Sequence, residues 1–137
     1  MDLLNLPPLN TFALYAAVNG LIVLFLAIMV VRARILTRVD IGDGGKEPLT
    51  KAQRAHGNAA EYVPLVLLLL YVLVQLEAPT WMVHAVGVPL TLGRILHPVG
   101  MYETTGRSVG RFVGTNLTWL SLLIAAVGCI YYAVTTA

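Results

Sequence analysis

Charge is what this sequence has least of. Only 12% of its 137 residues are charged and 58% are hydrophobic, whereas soluble globular domains carry roughly 25% charged residues. The deficit means that most of the surface faces something other than water. The chain has a single cysteine, Cys129, inside an apolar run. That excludes a disulfide framework or a cysteine-based zinc site within one chain, and Cys129 reads as a small core or lipid-facing residue. No HExxH or HxxxH pattern is present, and the acids between Asp40 and Glu47 lack the spacing of a calcium loop, so no metal is expected. Basic residues are missing before Arg32, where Asp2 is the only charge, and no small-residue cleavage site follows the first apolar run. The first hydrophobic segment is therefore expected to stay as a membrane anchor. There is no internal repeat and no low-complexity segment. With this length the expectation is one domain, 1–137, with no soluble catalytic domain beside it.

Four long apolar runs fill the chain. A spanning helix needs about 20 mostly apolar residues, and the candidates are Thr11 to Val31, Ala59 to Leu76, Trp81 to Tyr102 and Val109 to Tyr132. Pro7 and Pro8 precede the first, where helix starts tolerate proline. Trp81, Tyr102, Tyr131 and Tyr132 fall near the ends, as interfacial aromatics should. The sequence Glu77-Ala78-Pro79-Thr80 predicts a tight turn and an antiparallel hairpin of spans two and three. Arg32 to Gly57 reads as a polar connection with flexible Asp40-Ile41-Gly42-Asp43-Gly44-Gly45 at its centre. Six of the nine Lys and Arg residues lie in that connection, and Arg107 and Arg111 lie in the third. The positive-inside rule then predicts both connections on the cytoplasmic side and both termini in the periplasm of a bacterial inner membrane. The fold class expected is all-α, an integral membrane four-helix bundle.

Polar residues placed where lipid should be carry the functional signal, because a charge inside a span costs about 2.5–3.5 kcal/mol on the insertion scale. Arg54, Asn58, Glu61 and Tyr62 stand at i, i+4, i+7 and i+8, and share one helical face if helix two begins before Arg54. Pro64 follows, freeing a carbonyl near residue 60 and predicting a kink. In the third span, Arg94 and His97 are i, i+3 neighbours. Arg94 is the only basic residue clearly inside a span, and the antiparallel hairpin places Glu61 at a comparable depth. Pairing of Arg94 with Glu61 is expected from this. His97 reads as a hydrogen-bonded interior group, and His84 as interfacial without an assigned role. Gly106-Arg107-Ser108-Val109-Gly110-Arg111 opens the fourth span, where an arginine and a hydroxyl at a helix start can hold a carboxylate or thiolate. The same cations also serve as a positive-inside anchor.

The string Arg54-Ala55-His56-x-Asn58-x-x-Glu61-Tyr62-x-Pro64, with four spans and a basic first connection, resembles the membrane-associated proteins in eicosanoid and glutathione metabolism (MAPEG). Gly93-Arg94-x-x-His97 and Arg107-Ser108-Val109 are similar to the prostaglandin synthase pattern of that family. The resemblance implies a homotrimer with glutathione bound between adjacent subunits near the cytoplasmic face. It implies that Arg54, Asn58 and Glu61 hold the glutathione backbone with Tyr62 nearby. Arg34 would come from the neighbouring subunit to a glutathione carboxylate. Arg94 and His97 would line the same cavity, and Arg107 would stabilise the thiolate with Ser108 beside it. Two departures stand out. Met101 occupies the position one turn beyond His97 where eicosanoid enzymes often carry tyrosine, with Tyr102 facing about 100° away. The segment from Tyr102 to Arg107 is also short, which makes Arg111 a rival for the thiolate role.

Three functions compete. The first is a glutathione-dependent membrane enzyme that conjugates glutathione to lipophilic electrophiles, as in detoxification, or reduces lipid hydroperoxides. The second is a non-catalytic scaffold or lipid-binding trimer retaining the fold. The third, a small-solute transporter, is disfavoured because repeats are absent and the polar residues gather at one end instead of the midplane. The partners expected are glutathione, a lipophilic small molecule or lipid, membrane lipid and further copies of the chain, with no nucleic acid.

Overall fold

The computed structural model describes residues 6–104 and 106–135; Asp2 lies outside the described residues. Four helices follow in order: α1 Pro8–Thr37, α2 Glu47–Gln75, α3 Thr80–Glu103 and α4 Val109–Thr135. No strand occurs among the described residues. Three of the helices, α1, α2 and α4, are long and apolar enough to cross a membrane. In α3, which is less apolar, Pro89, Pro98, Arg94 and two histidines interrupt the pattern. Large side chains such as Leu21, Phe25, Ile28, Leu123 and Ile130 stand exposed on the outer faces of α1 and α4. Such a surface suits lipid and not water. The architecture is an all-helical, four-helix membrane bundle.

The helices are longer than the apolar runs. The connection read from sequence as Arg32 to Gly57 shrinks to 38–46, because α1 continues to Thr37 and α2 begins at Glu47. Hydropathy marks where lipid ends, whereas the backbone ladder continues through polar residues into the interface. A helix of 30 residues spans about 45 Å, well beyond a hydrocarbon core of about 30 Å. Arg38 ends α1 in a left-handed conformation, φ 55, its N–H donating to the Arg34 carbonyl. Gly44 and Gly45, with φ of +55 and +66, complete the reversal. Asp43 then organises the loop: its carboxylate accepts from the Gly45 N–H at 3.0 Å and the Thr50 hydroxyl at 3.0 Å. These bonds, the backbone one foremost, hold the Asp43 carboxyl below its ordinary range.

The predicted α2–α3 hairpin is tight. Glu77 turns the chain with φ 59, and the Ala78 N–H donates to the Leu73 carbonyl at 3.0 Å. The main core lies toward this end, where Val66, Leu70 and Leu73 of α2 meet Val83, Val86 and Leu90 of α3 and Ala125 of α4. Cys129 packs against the same cluster, its thiol donating to the Leu69 carbonyl at 3.3 Å. α1 lies against α2 and α3, tied to α3 by polar contacts. The Tyr15 hydroxyl meets His84 Nδ1 at 2.8 Å, so His84 is tied to α1 and is more than an interfacial group. Asn19 donates to Thr91 at 2.9 Å. Interhelical hydrogen bonds of this kind hold helices together where lipid removes the hydrophobic drive for association.

α3 and α4 share the most extensive interface, built on small residues. A Cβ on Gly93 would lie 2.7 Å from the Gly114 carbonyl oxygen. One on Gly114 would lie 2.6 Å from the His97 nitrogen, and one on Gly100 would strike the Arg111 nitrogen and Ser108 Oγ. These glycines let the two backbones touch at the basic end of the bundle, and so fix the height of Arg94 and His97 relative to the start of α4.

Candidate functional site

Arg94 is the centre of the arrangement. It is 1% exposed, the largest fully buried side chain among the described residues. One guanidinium nitrogen donates to Asn58 Oδ1 of α2 at 2.7 Å and another to Thr118 Oγ1 of α4 at 2.6 Å. The Thr118 hydroxyl in turn donates to the Gly114 carbonyl at 2.9 Å. The guanidinium carbon lies 5.9 Å from the Tyr62 ring centroid, within cation–π range. Arg94 Nε and His97 Nδ1, both buried, have no hydrogen-bond partner.

The expected Arg94–Glu61 ion pair does not form. Asn58 is the α2 residue turned toward α3, while Glu61 stands exposed three residues later. Among the described residues the one ion pair is Lys51–Glu47, at 2.8 Å. A buried cation is therefore held only by neutral oxygens and a π face. Withdrawing an ion from water costs several kcal/mol unless opposite charge compensates it, so the site is electrostatically set for an anion.

Arg54 and Glu61 lie exposed on α2 on either side of Asn58, and neither has a side-chain partner within the subunit. Tyr62 connects this group to α4, because its hydroxyl accepts from Trp119 Nε1 at 3.1 Å. On α4 an open groove of about 880 Å³ is lined by Arg107, Ser108, Arg111, Phe112, Asn116 and Trp119, among others. The structure thus links Asn58, Tyr62 and Arg94, through Trp119, to the groove that carries Arg107 and Ser108, with His97 buried on α3 three residues after Arg94.

The start of α4 separates the two rival arginines. Ser108 caps the helix: its Oγ accepts from the Arg111 N–H at 3.2 Å and Arg111 Nε at 3.3 Å, and donates to the Gly100 carbonyl at 2.8 Å. Arg111 is held over Ser108 and reaches Met101 Sδ at 3.7 Å. Arg107 is exposed, with no side-chain partner. Arg34 stands apart from all of these. Its Nη1 donates to the carbonyls of Val39, Asp40 and Gly42 at 3.2, 2.8 and 3.2 Å, tying the end of α1 to the loop. Within one subunit it is not brought to the other site residues.

The all-helical, lipid-facing bundle agrees with the sequence comparison. The MAPEG family model matches residues 12–131. The chain belongs to the MAPEG family. Inner membrane protein YecN of Escherichia coli strain K12 is 38% identical over 120 residues, which cover 88% of this chain and 90% of YecN. The same figures hold for YecN of strain O6:H1. No solved structure matches the chain. Within this MAPEG chain, Thr118 and Trp119 are site residues that sequence reasoning passed over. Their signal was present as Asn116, Thr118 and Ser121, polar residues in the middle of an apolar span.

Proposed function

We propose that this MAPEG protein is a glutathione-dependent membrane enzyme that uses the glutathione thiolate against a lipophilic electrophile or lipid hydroperoxide. The observation that carries the reading is Arg94, buried without a carboxylate, beside an α2 face whose Arg54 and Glu61 are unpaired. Glutathione bears two carboxylates, an amine and a thiol. Several cations and one anion suit it, with Arg54 and Arg94 for carboxylates and Glu61 for the amine. Asn58, Tyr62 and His97 supply neutral polar contacts. Because Arg54 and Glu61 open outward, the pocket is completed by a neighbouring subunit in a homotrimer, which also brings its Arg34. The bundle crosses a bacterial inner membrane four times, with the site toward the cytoplasm.

A thiol with a pKa near 8.5 needs a nearby cation to be substantially ionised at neutral pH. Arginine keeps its own proton and acts as an electrostatic stabiliser. Arg107 fills that role, with Ser108 beside it, and Arg111 is the rival because Ser108 orients it. The lipophilic partner enters from the bilayer along the α4 groove.

Native mass spectrometry of the detergent-solubilised protein should show trimers that bind glutathione, and Arg54→Ala should weaken that binding. Arg107→Ala should raise the pKa of the bound thiol, read from thiolate absorbance in the ultraviolet, and lower turnover more than affinity. A shifted titration in Arg111→Ala alone would transfer the role to Arg111. Absence of glutathione binding by the wild-type protein would leave a membrane scaffold or lipid-binding trimer as the function.

A further inference from the structure

A second concavity lies away from Arg94, between α1, the start of α2 and the end of α3. It is a trough of about 490 Å³ whose lining includes apolar Met29, Leu36, Pro48 and Ala52 and, at its polar margin, Arg32 and Tyr102. Of the nearby cations, Arg34 is engaged by loop carbonyls and Lys51 by Glu47, and neither lines the trough. Arg32 is exposed and has no side-chain partner within the subunit, and neither has the Tyr102 hydroxyl. The lining contains no carboxylate.

We propose that this trough binds one anionic glycerophospholipid of the surrounding bilayer, its phosphate on Arg32 and Tyr102 and an acyl chain along Met29 and Leu36. The position suits that occupant. Arg32 is the first charge after the apolar length of α1, so the trough straddles the boundary where a headgroup meets its chains. A guanidinium and a phenol supply donors to phosphate oxygens. A free phosphate would leave the apolar wall unused. A zwitterionic lipid would bring a cation to a site that offers no carboxylate for it. The inference holds whether or not the Arg94 cluster binds glutathione.

Native mass spectrometry of the full-length protein, titrated with phosphatidylglycerol or with phosphatidylcholine of the same chains, tests it. Wild type should carry a discrete phosphatidylglycerol adduct in preference to phosphatidylcholine. Arg32→Gln should weaken that adduct at least about fivefold, the size expected for one cation facing an anionic headgroup. Leu36→Trp, a change at an exposed position that fills the trough and keeps the charge, should weaken it too. Lys46→Gln removes an exposed cation outside the trough and should leave the adduct unchanged. An equal loss in Lys46→Gln would mean diffuse attraction and overturn the site. So would indifference to headgroup, or a wild type without the adduct because another subunit covers the trough.

Discussion

An arginine withdrawn from water needs acceptors, and the two that Arg94 has carry no charge, while its Nε has none. Asn58 and Thr118 each take one of its protons from a different helix, so the guanidinium joins α2, α3 and α4 at one point. Thr118→Val would preserve shape and leave that N–H buried and unpaired. Bonds to charged groups are worth about 1.5–3 kcal/mol, and a loss of that size is expected in denaturant titration of the micellar protein. Thr118→Ser keeps the hydroxyl and should unfold close to wild type. The contrast separates the hydrogen bond from the packing of the threonine methyl group.

At the scale of elements, the α3–α4 seam and the α1–α2 loop bear different loads. Gly114→Val would drive a side chain into the backbone of α3 at His97. Overpacking of this kind costs about 1–3 kcal/mol or more, and the expected outcome is a clear drop in Tm. Gly20, also helical, has nothing within 4 Å of a Cβ, so Gly20→Ala should leave Tm unchanged or raise it, alanine being about 1 kcal/mol the better helix former. The loop depends on a carboxylate. Because Asp43 is held below its ordinary value of 3.8 by the Gly45 N–H and Thr50, its contribution is fully present above that value. It is lost as pH falls through the lowered one. Hydrogen exchange at the Gly45 amide should therefore be slow at pH 6, beyond the intrinsic pH effect, and lose protection in strong acid. Asp43→Asn should weaken that protection already at pH 6.

How far the sequence led differs between elements for physical reasons. Apolar runs located all four helices, and the bounds of α3 fall within one residue of the run read from sequence because turn chemistry brackets it on both sides. α1 and the start of α2 run beyond the apolar runs, since a helix leaving the bilayer keeps its hydrogen bonds while losing its hydropathy. Arg94 was found because a lone charge in a span is costly. Its partner was not, because helical spacing places Glu61 and Asn58 within about 60° of each other, and only packing decides which one faces α3.

For the molecule as a whole, the unequal distribution of charge sets how it sits in the bilayer. The basic residues gather at the end of α1, the start of α2 and the start of α4, while the α2–α3 turn contains none. A reporter fused after Ala137 should be periplasmic, and one inserted near Gly44 should be cytoplasmic. The reverse outcome would place the Arg94 cluster, the α4 groove and the lipid trough together on the outer side. All three lie at the same end, so the result orients every proposed ligand at once.

The hydrogen bond from Trp119 to Tyr62 makes the protein its own fluorescent indicator. The chain has two tryptophans. Trp81 lies at the start of α3, at the opposite end of the bundle, whereas Trp119 lines the α4 groove and bonds the tyrosine whose ring centre lies 5.9 Å from the Arg94 guanidinium carbon. With Trp81 replaced by phenylalanine, all indole emission would come from the groove. A molecule that settles on Arg94 or fills the groove should change that emission in wavelength or intensity. Binding at either place would then be read without a label.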